Sequence, residues 1–184
     1  GMDLGYCSVL LDYCMIYSWI SKDKSPIEPM TKLIRFMLPH IHPDGTISPE
    51  SGICQNPYVS RLGLCLLSKY SDEAKWLLKK IDLSKSSRKA IEPYLSDDLR
   101  FCRWSHLPLI ANYIFIKSKS EKDILVNSLY PEGWTSSPIC SITAYHKKNI
   151  HVYISISGGG IIRVFKDQKL IIEEFGIVIK KNNQ

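Results

Sequence analysis

The period of the apolar residues changes near residue 120, and that change constrains the fold more than any motif. Up to about residue 118 apolar side chains recur at three- and four-residue spacings, the mark of amphipathic helices. Beyond it they alternate, and β-branched residues become frequent, the mark of half-buried strands. A chain that is helical first and extended afterwards cannot build a βαβ sheet. It predicts an α+β fold, with residues 1–120 as an antiparallel helical region and residues 121–184 as an antiparallel β region.

Within the first part, Leu4, Leu11, Cys14, Met15 and Trp19 mark a helix over 3–20. Pro26 and Pro29 suit the start of a second, whose stripe is Ile27, Met30, Leu33, Ile34, Met37 and Leu38. Pro39 and Pro43 close it, and 40–57 reads as a long loop punctuated by Gly45, Pro49, Gly52 and Pro57. Helices are expected over 58–69, 71–81 with Ser71 as its cap, 87–95, and 97–117 with a kink at Pro108. In the second part, 137–146, 150–157, 161–166 and 170–180 read as a four-stranded meander, with a short extra strand near 124–129 as an alternative. The joins at Lys147–Asn149, Gly158–Gly160 and Asp167–Gln168 are short, which favours antiparallel neighbours. Such a sheet has two faces, and the helical part or a second copy of the chain is expected to cover one.

The balance of 24 Lys and Arg against 18 Asp and Glu gives +6, scattered as isolated pairs such as Lys79–Lys80 and Lys180–Lys181. No basic stripe suggests a nucleic-acid partner. Residues 4–20 are apolar but carry Asp12 and several Ser and Tyr, so a buried helix fits better than a membrane span, and no membrane partner is expected. No basic segment precedes them as in a secretory leader. The six cysteines form no CxxC pair, and those in the helical region read as small reduced hydrophobes, which suits the cytoplasm.

Three blocks, in order, carry a resemblance. The first is Asp3-Leu4-Gly5-Tyr6-Cys7-Ser8 ahead of a helix. The second is His42-Pro43-Asp44-Gly45-Thr46, followed by Asn56-Pro57-Tyr58. The third is Leu129-Tyr130-Pro131-Glu132-Gly133-Trp134, then Ile156-Ser157-Gly158-Gly159-Gly160 and Phe175-Gly176. Together they resemble the heparinase II/III-like group of polysaccharide-processing proteins, in which an α/α toroid precedes a β-sandwich. The resemblance implies that this chain spans the end of such a toroid and the start of the sandwich. It also implies an acidic polysaccharide as ligand, and a fragment or degenerate remnant of a lyase that binds sugar without turning it over. A non-catalytic protein that self-associates, as a homo-oligomer, is the competing reading.

Lyases acting on uronic acids need a group that neutralises the carboxylate, a base and an acid. By resemblance, Tyr6, His42 and Arg61 are the catalytic candidates, and His40, Asp44, Asn56, Tyr58 and Trp134 the substrate-binding ones. Each has a plainer reading. Tyr6 suits a packed helix residue, and Arg61 an ion pair with an acidic neighbour. His40 and His42 lack a third ligand at metal-binding spacing, so loop hydrogen bonds are expected and neither metal nor cofactor is. Asp44-Gly45 is first a turn signal. Gly158–Gly160 precedes a strand, which favours a hairpin over a phosphate loop. Trp19, Trp76 and Trp104 fall on predicted helices and read as core, whereas Trp134 falls in a turn.

Overall fold

Leu4, Leu11 and Met15 define the inward line of the first helix and are almost wholly buried. The computed structural model describes residues 4–46, 61–83, 130–139, 141–156 and 160–175. In these, α1 spans Leu4–Ser21, α2 Ile27–Met37, α3 Arg61–Leu67 and α4 Asp72–Leu83, and a single 3₁₀ turn, Leu38–His40, extends α2. The strands are β1 Gly133–Ser137, β2 Ile142–Lys147, β3 Ile150–Ser155, β4 Ile161–Lys166 and β5 Lys169–Phe175. The fold is α+β, as the change of period predicts. The expected helices over 87–95 and 97–117 and the optional strand at 124–129 lie outside the described residues.

The helices share one core, to which α1 gives Leu4, Leu11 and Met15, α2 gives Met30, Ile34 and Met37, α3 gives Leu62, Leu64, Leu66 and Leu67, and α4 gives Leu77, Leu78 and Ile81. Each such side chain contributes about 1.5–3 kcal/mol on leaving water. Polar contacts add to this packing and close the helix ends. Asp12, buried on α1, accepts the N–H of Gly63 at 2.6 Å, and so satisfies an end group of α3 from the neighbouring helix. Ser71 caps α4, its Oγ accepting the N–H of Ala74 at 3.3 Å. Arg35 of α2 meets Glu73 of α4 at 2.6 Å.

The sheet is a meander in the order β1-β2-β3-β4-β5, antiparallel throughout. The expected strand over 137–146 is two strands. Pro138 cannot donate to a ladder, and Ser141 takes a left-handed conformation (φ 56°), so the chain turns there and Gly133–Ser137 pairs back on Ile142–His146. The hairpins after β2 and β4 have two-residue loops whose first residues, Lys148 and Asp167, also have positive φ.

Alternation sorts the strands into two faces. One carries Ile142, Ala144 and His146 of β2, His151 and Tyr153 of β3, and Phe165 of β4, all buried. Ile142 joins the helical core, and the segment 38–46 lies against this inner face. No described helix is long and apolar enough to cross a membrane.

Candidate functional site

Two prolines and the Asp44-Gly45 turn bring the segment His40–Thr46 back on itself. Gly45 has φ 85°, which only glycine takes without strain. Thr46 N–H donates to the Asp44 carboxylate oxygen Oδ1 at 3.0 Å, and His42 N–H donates to the Thr46 carbonyl at 2.7 Å. Asp44-Gly45 is therefore a turn, in keeping with its plainer reading.

This turn presents His42 to the sheet. Its ring meets Tyr153 edge-on at 4.5 Å and lies 4.9 Å from Phe165. Its tautomer follows from its neighbours. Thr46 Oγ1 donates its only hydrogen to Asp44 Oδ1 at 2.7 Å, so the 2.8 Å contact with His42 Nδ1 requires Nδ1–H to donate to Oγ1. His42 Nε2 is left as a buried lone pair with no hydrogen-bond partner among the described residues. Burial first, and the Arg163 guanidinium second, push this imidazole down to about 3. Arg163 itself pairs with Glu173 at 2.6 Å.

The second pair of histidines comes from one hairpin. Register places His146 of β2 opposite His151 of β3, and their Nδ1 atoms are 2.8 Å apart. His146 Nε2 lies 3.1 Å from the Pro39 carbonyl, which can only accept. His146 therefore carries its proton on Nε2 and accepts at Nδ1 from His151 Nδ1–H. Both are held below the ordinary imidazole range, chiefly by burial, and His151 falls to about 4. His40, on the 3₁₀ turn, is also pushed to about 4 by burial and then by His146.

Two phenols close the cluster. Tyr130, just before β1, and Tyr153 both donate to the Ile41 carbonyl, at 2.9 and 2.7 Å. Tyr130 stacks on His146 at 4.6 Å and meets Trp76 of α4 edge-on at 5.2 Å. Lys80 of α4 stands 5.3 Å from the Tyr130 ring and 5.5 Å from the Trp76 ring. Burial raises both phenols above their ordinary range and lowers Lys80. Loop, helix and sheet thus meet in a cluster of neutral imidazoles and protonated phenols, with His42 only 2 % exposed. Chemically the arrangement holds protons in fixed places, and its hydroxyls are bonded to main chain. Among the described residues no group of three His, Cys, Asp or Glu is placed to hold a metal.

Of the residues singled out by sequence, His40, His42 and Asp44 come together here. Tyr6 lies on the outer side of α1, 59 % exposed, and Arg61 opens α3, half-buried. Trp134 pairs with Tyr145 and so lies on the sheet face opposite His42. Asn56 and Tyr58 lie outside the described residues. Sequence reasoning missed Tyr130, His146, His151 and Tyr153. A signal existed for the histidines: a two-residue hairpin centred on Lys148-Asn149 sets positions 146 and 151 face to face.

A second concavity is open. A cavity of about 140 Å³ is lined by Trp19, Lys22, Lys24, Lys69 and Tyr70, with Met15, Ser18 and Leu66 at its base. Trp19 is not the core residue expected from its helix: it is 47 % exposed, at the open cavity near the end of α1. Lys22 Nζ donates to the Trp19 carbonyl at 3.0 Å, and none of the three lysines is in an ion pair among the described residues. Comparison of the chain with protein-family models, curated proteins and solved structures finds no match.

Proposed function

We propose that this chain binds acidic carbohydrate and does not cleave it, as a remnant of a heparinase II/III-like polysaccharide-processing architecture. The observation that carries this reading is the closure of the histidine cluster. Elimination needs an acid and a base in contact with one sugar ring. Here His42 Nε2 is sealed beneath Tyr153 and Phe165, and the two phenols donate to the Ile41 carbonyl. Tyr6 is exposed on α1, away from any such closed pair.

Binding is assigned to the open cavity beside α1. Exposed Trp19 and Tyr70 offer flat apolar faces to a pyranose ring, and Lys22, Lys24 and Lys69 offer charge to its carboxylate or sulfate. The motif order along the chain and the helix-to-sheet architecture support the same reading. The test is titration of the chain with heparan, alginate and hyaluronan oligosaccharides, followed by intrinsic tryptophan fluorescence, with absorbance of the unsaturated product read in parallel. Binding that is lost in Trp19→Ala and in Lys69→Glu, without product, is the expected result. Product formation that His42→Ala abolishes would contradict it, as would the absence of binding to all three glycans.

A further inference from the structure

The outer face of the sheet is built from three rows across the strands. The middle row is Trp134, Tyr145, Val152, Val164 and Ile172, apolar on all five strands. Beside it run Ser136, Thr143, Ile154, Ile162 and Glu174. The third row is Lys147, Ile150, Lys166 and Lys169. Trp134 is 63 % exposed, Ile172 47 % and Ile162 41 %. An antiparallel sheet ordinarily leaves its solvent face polar, so an apolar row over five strands marks a face that stacks on another layer.

We propose that this layer is the same face of a second copy of the chain, the two sheets stacking about a two-fold axis that runs across the strands. The distribution of charge selects this occupant and this axis. A two-fold across the strands keeps each strand over its own copy and reverses its direction. The middle row then lies on itself, apolar on apolar, and Lys169 at one end of β5 faces Glu174 at the other end of the partner's β5. Lys147 faces the Thr143 end of the partner's β2. A two-fold along the strands would instead gather the lysine rows of both copies along one edge, with Lys147 over the partner's Lys166, which opposes association. The interface is self-complementary in the sense that a two-fold contact demands. Four strand spacings of about 4.8 Å give the face a width of about 19 Å. With a similar length, the footprint is roughly 400 Å² per copy, about half that of a standard interface. The dimer is therefore weak and depends on concentration. This inference is independent of the carbohydrate reading.

Light scattering of the full chain from about 1 µM to about 1 mM tests it. The mass is expected to rise from monomer to dimer within that range. Lys169→Glu brings like charges together at both ends and should weaken the dimer at least fivefold, and Lys169→Glu with Glu174→Lys should restore it. Ile172→Lys should leave a monomer with an unchanged circular-dichroism spectrum. Should that variant fold poorly, the exposed Lys169 and Glu174 exchange decides alone. A monomer at every concentration, or a dimer indifferent to Lys169→Glu, would overturn the proposal.

Discussion

Thr46 decides which nitrogen of His42 holds the proton. Its hydroxyl is committed to Asp44, so it can only accept from His42. Thr46→Val keeps the shape of the turn but leaves a buried Nδ1–H without an acceptor, and should lower stability by about 1–3 kcal/mol in a denaturant titration. Tyr153→Phe should lower it less, by about 1 kcal/mol, because Tyr130 still donates to the Ile41 carbonyl. At this scale the sequence was legible in part. The Asp44-Gly45 turn and the loop bonds of His42 follow from local chemistry. The meeting of His42 with Tyr153 and Phe165 does not, since they are more than a hundred residues apart and joined only by the docking of loop on sheet.

At the scale of the element, helix packing rests on one close approach. A Cβ at Gly63 would come within 2.7 Å of Leu11 Cγ, 2.8 Å of Asp12 Oδ1 and 2.9 Å of the Asp12 backbone nitrogen. Helix backbone cannot move aside, so Gly63→Ala should push α3 from α1 and lower stability by about 1–3 kcal/mol, despite alanine's better helix propensity. Thermal unfolding measures it. The β2–β3 hairpin offers the opposite case: Lys148 has φ 53°, and Lys148→Gly should gain about 1 kcal/mol if packing is untouched. The helices α1, α2 and α4, the strands β3 and β4 and the start of β5 were legible within a few residues, because caps, prolines and alternation mark them locally; 176–180 of the last expected strand lie outside the described residues. The division of 137–146 was not. A five-residue strand through Gly133-Trp134 carries too little alternation to announce itself, and its pairing with β2 is a tertiary fact.

For the whole molecule, the cluster ties helices, loop and sheet into one acid-sensitive unit. His40, His42, His146 and His151 all titrate below the ordinary value of 6.5 in the folded protein, mainly because burial disfavours the charged ring. The unfolded chain takes up these protons first, so the stabilisation is complete above about pH 6.5 and is lost as pH falls towards about 4. His40, His42 and His151 each contribute a slope of up to about 1.4 kcal/mol per pH unit within that window, and His146 acts in the same direction. Urea midpoints between pH 7 and pH 4 should fall accordingly, and replacing His151 by Gln should flatten the curve.

The proposal that the chain binds sugar without cleaving it turns on the closed, neutral state of the junction that the described histidines form with Tyr130 and Tyr153. Histidine ring nitrogens followed by NMR through a pH titration test it most directly. Expected are neutral rings on His40, His42 and His151 down to at least pH 5, Nδ1–H on His42 and His151 and Nε2–H on His146 at neutral pH, and no change in these signals when an acidic oligosaccharide is added. A His42 ring that titrates near 6.5, or that shifts on addition of the sugar, would contradict it.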